Sequence, residues 1–198
     1  MATARERLKQ DTRQRVLDTA ARLFRERGSA DITVREIAQA SGVSAGTVMT
    51  VGDKNALVVH AFDRLVAAEH AQHDPGEPDV PSAATCSDRL TDCVRPFVVI
   101  FTSQPVLARV YASILVTGEH DSHLFTDLAD RLREEFARAI TRHGCTPSDS
   151  APAVASALYF AYVGVLFSWA AQNSHDPNVL LERLRAAFAT ICTCQEAR

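Results

Sequence analysis

Residues 33–57, TVREIAQASGVSAGTVMTVGDKNAL, constrain the fold of this chain more than any other stretch. Thr33 followed by Glu36 has the spacing of a capping box, in which each side chain satisfies a backbone N–H of the other residue. Val34, Ile37 and Ala38 then give one apolar helical face. Ala38 is small where a second helix would cross closely. Gly42 follows, at the position where a left-handed residue ends a helix without steric cost. Val43 is apolar and tucks under the turn. Ser44 is a good N-cap for the next helix, whose Val48 and Val51 face back toward Ile37 and Val43. The bland alternative is a plain helical hairpin in an all-α core. Cap, small residue, turn glycine and apolar positions in one register favour a helix-turn-helix. Ala45, Gly46, Thr47, Met49 and Thr50 point outward, small or polar, as suits a helix entering a groove about 12 Å wide.

The flanks extend this reading. Residues 1–10 look like a flexible basic arm. Asp11 or Thr12 caps a first helix with the stripe Val16, Leu17, Ala20, Ala21, Leu23 and Phe24, ended by Gly28. Asp53 and Lys54 open another helix, with Leu57, Val58, Ala61, Phe62 and Leu65 at helical spacing. The helix dipole gains nothing from a lysine at that end, so contact with phosphate explains Lys54 better. Net charge over the whole chain is −3, which does not suggest a nucleic-acid binder. Its distribution does: residues 1–60 carry ten Lys/Arg against seven Asp/Glu, the rest eleven against seventeen.

Residues 71–87 are Pro-, Gly- and acid-rich and read as a loop. The following stripe, Leu90, Val94, Phe97, Val98 and Phe101, is interrupted at Pro96, where a helix either bends or begins. Pro105 to Thr117 forms the next helix, closed by Gly118. Leu124, Leu128, Leu132, Phe136 and Ile140 then recur every four positions against a charged face, up to Gly144. Between Asp149 and Asp176 there is no Asp, Glu, Lys or Arg. A helix apolar all round must be buried all round. It spans a membrane, or centres one core, or is covered on one side by a second copy of the chain. Ala153, Ala157, Ala161 and Gly164 allow close helix approach and favour the second copy; no membrane span is expected. Asp176 and Pro177 start a last helix with Leu180, Leu181, Leu184, Phe188 and Ile191 as its stripe.

Motifs of catalysis are absent: there is no phosphate-cradling glycine loop, no G-x-S-x-G and no H-E-x-x-H. The five cysteines (Cys86, Cys93, Cys145, Cys192 and Cys194) read as reduced thiols, and with no apolar leader at the N-terminus the expected location is cytoplasmic. Cys192 and Cys194, two apart, do not share a helical face, which argues against a metal or redox pair. His70 with His73 and His120 with His123 read as surface histidines. No metal and no cofactor is expected.

The T-V-R-E-I-A segment, the S-G-V-S-x-G-T turn and the later D-K-x-A-L resemble the TetR (tetracycline-repressor-like) family of transcriptional regulators, over roughly the first third of the chain. The family's aromatic residues after G-T are replaced by Val48, Met49, Thr50, Val51 and Gly52, a run one residue shorter, and its basic residue after the turn serine is Ala45. The expected fold is all-α: an N-terminal three-helix helix-turn-helix domain followed by a C-terminal helical bundle, about nine helices in all. The helix-turn-helix domain covers 11–68, and 69–198 binds effector and dimerises. Thr33, Arg35, Ser44, Ala45, Gly46, Thr47, Met49, Thr50 and Lys54 would meet double-stranded DNA at a palindromic operator. The resemblance implies a small-molecule effector, and Phe97, Phe101, Tyr111, Tyr159, Tyr162 and Phe167 would line an apolar pocket for it. It also implies a homodimer through the last two helices, at Ala157, Ala161, Gly164, Leu184 and Phe188. The expected function is a dimeric repressor released by an apolar effector. The alternatives are an all-α carrier or enzyme with a merely structural hairpin, and a membrane-anchored regulator.

Overall fold

The computed structural model describes residues 4–27, 32–72, 85–172, 176–192 and 194, with Leu124 described by its backbone alone. Among them are nine α-helices: α1 (Ala4–Arg27), α2 (Val34–Ser41), α3 (Ala45–Val51), α4 (Lys54–Gln72), α5 (Cys86–Ser103), α6 (Pro105–Thr117), α7 (Asp127–His143), α8 (Ala151–Ala170) and α9 (Pro177–Ile191). One 3-10 turn, His123–Phe125, precedes α7, and no strand occurs among the described residues. The fold is all-α. Gly28 and His73 lie outside the described residues, as does 73–84 of the expected loop.

The chain divides into two compact units, Met1–Leu65 with Gln104–Ser122, and Val66–Ser103 with His123–Arg198. In the first, α1 buries Val16, Ala20, Leu23 and Phe24, α2 buries Ile37 and Ala38, α3 buries Val48, and α4 buries Leu57, Val58 and Phe62. Two expectations are corrected here. Residues 4–10, read as a flexible arm, continue α1, because A-R-E-R-L-K-Q is a run of strong helix formers. The second concerns α6, read as part of the C-terminal domain, which belongs to the first unit. Its Tyr111 ring stacks on Phe62 of α4 with centroids 4.4 Å apart. The Tyr111 hydroxyl and the Ser122 hydroxyl both donate to Asp63 Oδ1 at 2.7 Å. Tyr111, Asp63 and Ser122 are all buried. A buried carboxylate is tolerated only with such partners, so this triangle ties the middle of α6 and the segment after it to α4.

In the second unit, α5 runs unbroken through Pro96, which excludes a helix beginning there. Its Phe97 and Phe101 are buried, as are Leu132, Phe136 and Ile140 of α7 and Leu180, Leu184 and Phe188 of α9. Phe136 and Phe188 meet edge to face at 5.5 Å. The charged face of α7 is less solvated than its composition suggests. The Arg133 guanidinium lies 4.5 Å from the centroid of Tyr159, a cation–π contact. His70, expected at the surface, packs on Phe97 with ring centroids 4.2 Å apart. The chargeless helix α8 buries Ala155, Leu158, Tyr159, Tyr162, Leu166 and Trp169, while Ala153, Ala157, Phe160, Gly164 and Ser168 are exposed. It is the described helix long and apolar enough to cross a membrane on its own. Finally, α9 ends at Ile191, so the helical-face argument does not apply to Cys192 and Cys194.

Tyr111→Phe keeps the stacked ring and removes the hydroxyl from the buried Asp63. We expect a loss of about 1–3 kcal/mol in denaturant unfolding. An unchanged midpoint would mean that the triangle contributes nothing to holding α6.

Candidate nucleic-acid interface

Helices of eight and seven residues are too short to persist alone, so α2 and α3 depend on their ends. Thr33 takes an extended conformation, its Oγ1 accepts from the Glu36 N–H, and Glu36 Oε2 accepts from the Thr33 N–H at 2.8 Å. Both halves of the capping box are present. Gly42 ends α2 at φ +67°, a conformation that side chains disfavour, and passes its N–H to Gln39 C=O. Ser44 then caps α3, its Oγ accepting from the Thr47 N–H at 3.0 Å.

The far end of α3 is held by two residues. Arg13 of α1 donates from Nη1 to the Val51 C=O at 3.3 Å. Gly52 lets the chain pass so close to α4 that an added Cβ would lie 2.9 Å from the Ala56 Cβ. That close approach is the physical sense of the shortened run after Thr47: no bulky residue fits at 52. Asp53 follows as the cap of α4, accepting from the Ala56 N–H at 2.8 Å. Neither Arg13 nor Gly52 was singled out as a site residue. Gly52 carries a signal, a glycine between two helices, whereas nothing in the sequence pairs Arg13 with residue 51.

The nine expected contact residues all lie in the first unit, at the start of α2, along α3 and at the start of α4. Thr33, Arg35, Ser44, Ala45, Gly46, Met49 and Thr50 are exposed, while Thr47 and Lys54 are half-buried. A Cβ at Gly46 would meet only Ser44 Oγ, at an ordinary 3.7 Å. Nothing within the fold therefore requires glycine there. Thr50 Oγ1 donates to the Thr47 C=O at 2.7 Å, so its proton is already used. Met49 is 54% exposed. This face offers methyl and thioether surface and hydroxyl lone pairs. It has no guanidinium or amide for a bidentate grip on a purine.

Electrostatics reinforce the cap. The Thr33 backbone N–H, then the Arg27 guanidinium and the Thr33 hydroxyl, hold the Glu36 carboxyl down at about 2. The ion pair between Arg27 and Glu36 also joins the end of α1 to the start of α2.

The other expected sites fare unevenly. Phe97, Phe101, Tyr159 and Tyr162 are buried in the second unit and Phe167 there is half-buried, but Tyr111 belongs to the first unit. Burial pushes the Tyr159 phenol up to about 12 and raises that of Tyr162 as well. A groove of about 170 Å³ between α5 and α9 is lined by Asp88, Thr91, Asp92, Arg95, Leu181, Glu182 and Arg185, and by none of the six aromatics. Of the expected dimer residues, Ala157 and Gly164 are exposed and Ala161 is half-buried. Leu184 and Phe188 are wholly buried within their own unit. That excludes them as a contact surface: the stripe of α9 that looked available is consumed by its own core. His120 Nε2 lies 3.8 Å from Asp53 Oδ1, and His123 Nδ1 3.7 Å from Asp127 Oδ2.

Residues 16–50 match the family described as bacterial regulatory proteins, tetR family. The match starts in α1 and ends within α3. The chain is also similar to a protein of Mycobacterium bovis described as an uncharacterized HTH-type transcriptional regulator, 28% identical over 166 residues. That alignment covers 83% of this chain and 73% of the relative. Proteins of two Mycobacterium tuberculosis strains carry the same description and match to the same extent.

The Glu36 carboxyl titrates at about 2 in the native protein against an ordinary 4.5. Its contribution is therefore present above pH 4.5 and is lost as pH falls through 2. Glu36→Gln retains a capping side chain without the charge. Thermal unfolding of the native sequence should fall more steeply across that window than that of the variant; parallel curves would remove Glu36 from the account.

Proposed function

We propose that the chain is a TetR-family, HTH-type transcriptional regulator, and that it acts as a homodimeric repressor released by a small apolar effector. The observation that carries the reading is the outward face of α3, where Gly46 is free of any constraint from the fold. In this reading two copies of α3 enter successive major grooves, about 34–36 Å apart, over a palindromic operator. Thr33, Arg35, Ser44 and Lys54 position the domain on phosphate, and Thr47, Met49 and Thr50 meet base edges beside the close backbone approach at Ala45 and Gly46. Apolar contact with thymine methyls is the readout best matched to such a face. The effector acts by favouring a different spacing of the two heads, since only differential binding shifts an equilibrium.

The second copy covers the exposed stripe of α8. Ala153, Ala157, Phe160, Gly164 and Ser168 follow one another at helical spacing, and Phe160 is 64% exposed. A Cβ at Gly164 would meet nothing within 4 Å of its own chain. As at Gly46, smallness without an internal reason supports a close external neighbour. Phe160 and Ser168 take the places first given to Leu184 and Phe188.

Duplexes from the protein's own upstream region, titrated at several salt concentrations, test the DNA-binding part. Lys54→Ala should weaken binding to all duplexes alike and lower the salt slope by about one unit. Gly46→Ala should leave unfolding unchanged or slightly raised, and weaken specific binding by about 1–3 kcal/mol. Absence of any duplex affinity at low salt would sink the reading and favour a carrier or enzyme. For the dimer, Phe160→Glu should sediment as a folded monomer where the native chain sediments as a dimer. A native monomer, or a variant that still pairs, would rule out the α8 stripe.

A further inference from the structure

Four of the five cysteines, distant in sequence, converge in the second unit. The ligand atoms of Cys86, His143, Cys145 and Cys194 all lie within 4.8 Å of one another. Cys86 is the first residue of α5 and is buried. His143 is the last residue of α7, and Gly144, at φ +78°, turns the chain so that Cys145 doubles back beside it. Cys194 lies past the end of α9, where its N–H donates to the Cys192 C=O at 2.7 Å. Cys192, buried, adds a fourth sulfur beside Cys86.

We propose that Cys86, Cys145, Cys194 and His143 form a closed binding site for a thiophilic divalent cation of the Zn²⁺ type. Three sulfurs and one imidazole are a common structural zinc set. Zn–S bonds of about 2.3 Å at tetrahedral angles put neighbouring sulfurs about 3.8 Å apart. The Cys86 and Cys145 sulfurs are 3.6 Å apart, close to that edge and far from the roughly 2.05 Å of a disulfide. The upper bound on the separations in the group, 4.8 Å, exceeds that edge by about 1 Å, a distance that side-chain rotation can close. Cys86 also sits in the first turn of α5, where the helix dipole favours an anionic ligand. Four protein ligands leave no open coordination position, so the ion's work is structural. It clamps the start of α5, the α7–α8 connection and the segment past α9 together.

The test uses the reduced, full-length chain without a histidine tag. Titration with Zn²⁺ against a chromophoric chelator should give one tightly held ion per chain, and thermal unfolding should shift upward on loading. Co²⁺ in its place should give thiolate-to-cobalt charge-transfer absorption and the intense visible bands of a tetrahedral site. Cys145→Ser and Cys194→Ser should abolish the charge-transfer band of the tetrahedral complex, and Cys93→Ser, outside the cluster, should preserve it. Because Cys86→Ser risks the core, the exposed His143→Gln serves as the variant certain to fold. It should weaken Zn²⁺ binding about tenfold or more while leaving apo unfolding unchanged. The proposal is overturned if the reduced chain holds no ion, or holds it equally well without Cys145, Cys194 and His143. It is also overturned if mild oxidation joins Cys86 to Cys145 in a chain that takes up no metal when reduced.

Discussion

The reciprocal hydrogen bonds between Thr33 and Glu36 are the contact on which the front of this protein turns. The first N–H groups of α2 have no partners inside the helix, and the Thr33 hydroxyl and Glu36 carboxylate close that gap. Arg27 attaches the same carboxylate to α1. One acidic side chain thus starts α2, fixes its angle to α1 and, through Gly42 and Ser44, sets where α3 begins. Helices this short contribute little of their own stability. Their orientation is decided at the caps, and the exposed face of α3 inherits its position from residues that never reach that face.

This explains why the front of the chain was legible in its sequence and much of the rest was not. Caps, turn glycines and apolar spacing are local, and each leaves a mark within four residues: Thr33 with Glu36, Gly42, Ser44, Gly118 and Gly144 all act as their spacing predicts. Contacts between distant segments leave no such mark. Nothing in the sequence sends Tyr111 to Phe62 and Asp63 rather than to the aromatic residues of the C-terminal part. Nothing brings Cys86, Cys145 and Cys194 together, and the i,i+2 argument against the last pair assumed a helix that ends at Ile191. The buried stripe of α9 misled for a related reason. Periodicity reveals that a face is apolar, but it does not say whether the cover is the same chain or another.

The chargeless helix α8 shows the same ambiguity resolved halfway. Its own unit buries the face carrying Leu158, Tyr159, Tyr162, Leu166 and Trp169 and leaves the face carrying Ala157, Phe160 and Gly164 in the open. The two faces differ in size: large side chains inward, small ones outward, with Phe160 the exception. Large residues fill a core at native density. Small ones let two backbones approach, and the alanines among them also favour the helix itself. The asymmetry fits the proposed reading, in which a second copy covers the small face.

The division into units also bears on how a ligand signal could travel. The chain passes from one unit to the other at three places, after Leu65, Ser103 and Ser122. The first crossing lies inside α4, an unbroken helix from Lys54 to Gln72. The other two bracket α6, whose Tyr111 and following Ser122 are hydrogen-bonded to Asp63, two residues before the α4 crossing. All three covalent links therefore converge on one turn of α4 or on α6 bonded to it. Within the first unit, α6 and Ser122 are thus fastened to α4 through a buried, hydrogen-bonded carboxylate. Lys54 and the Gly52 close approach stand at the other end of that helix.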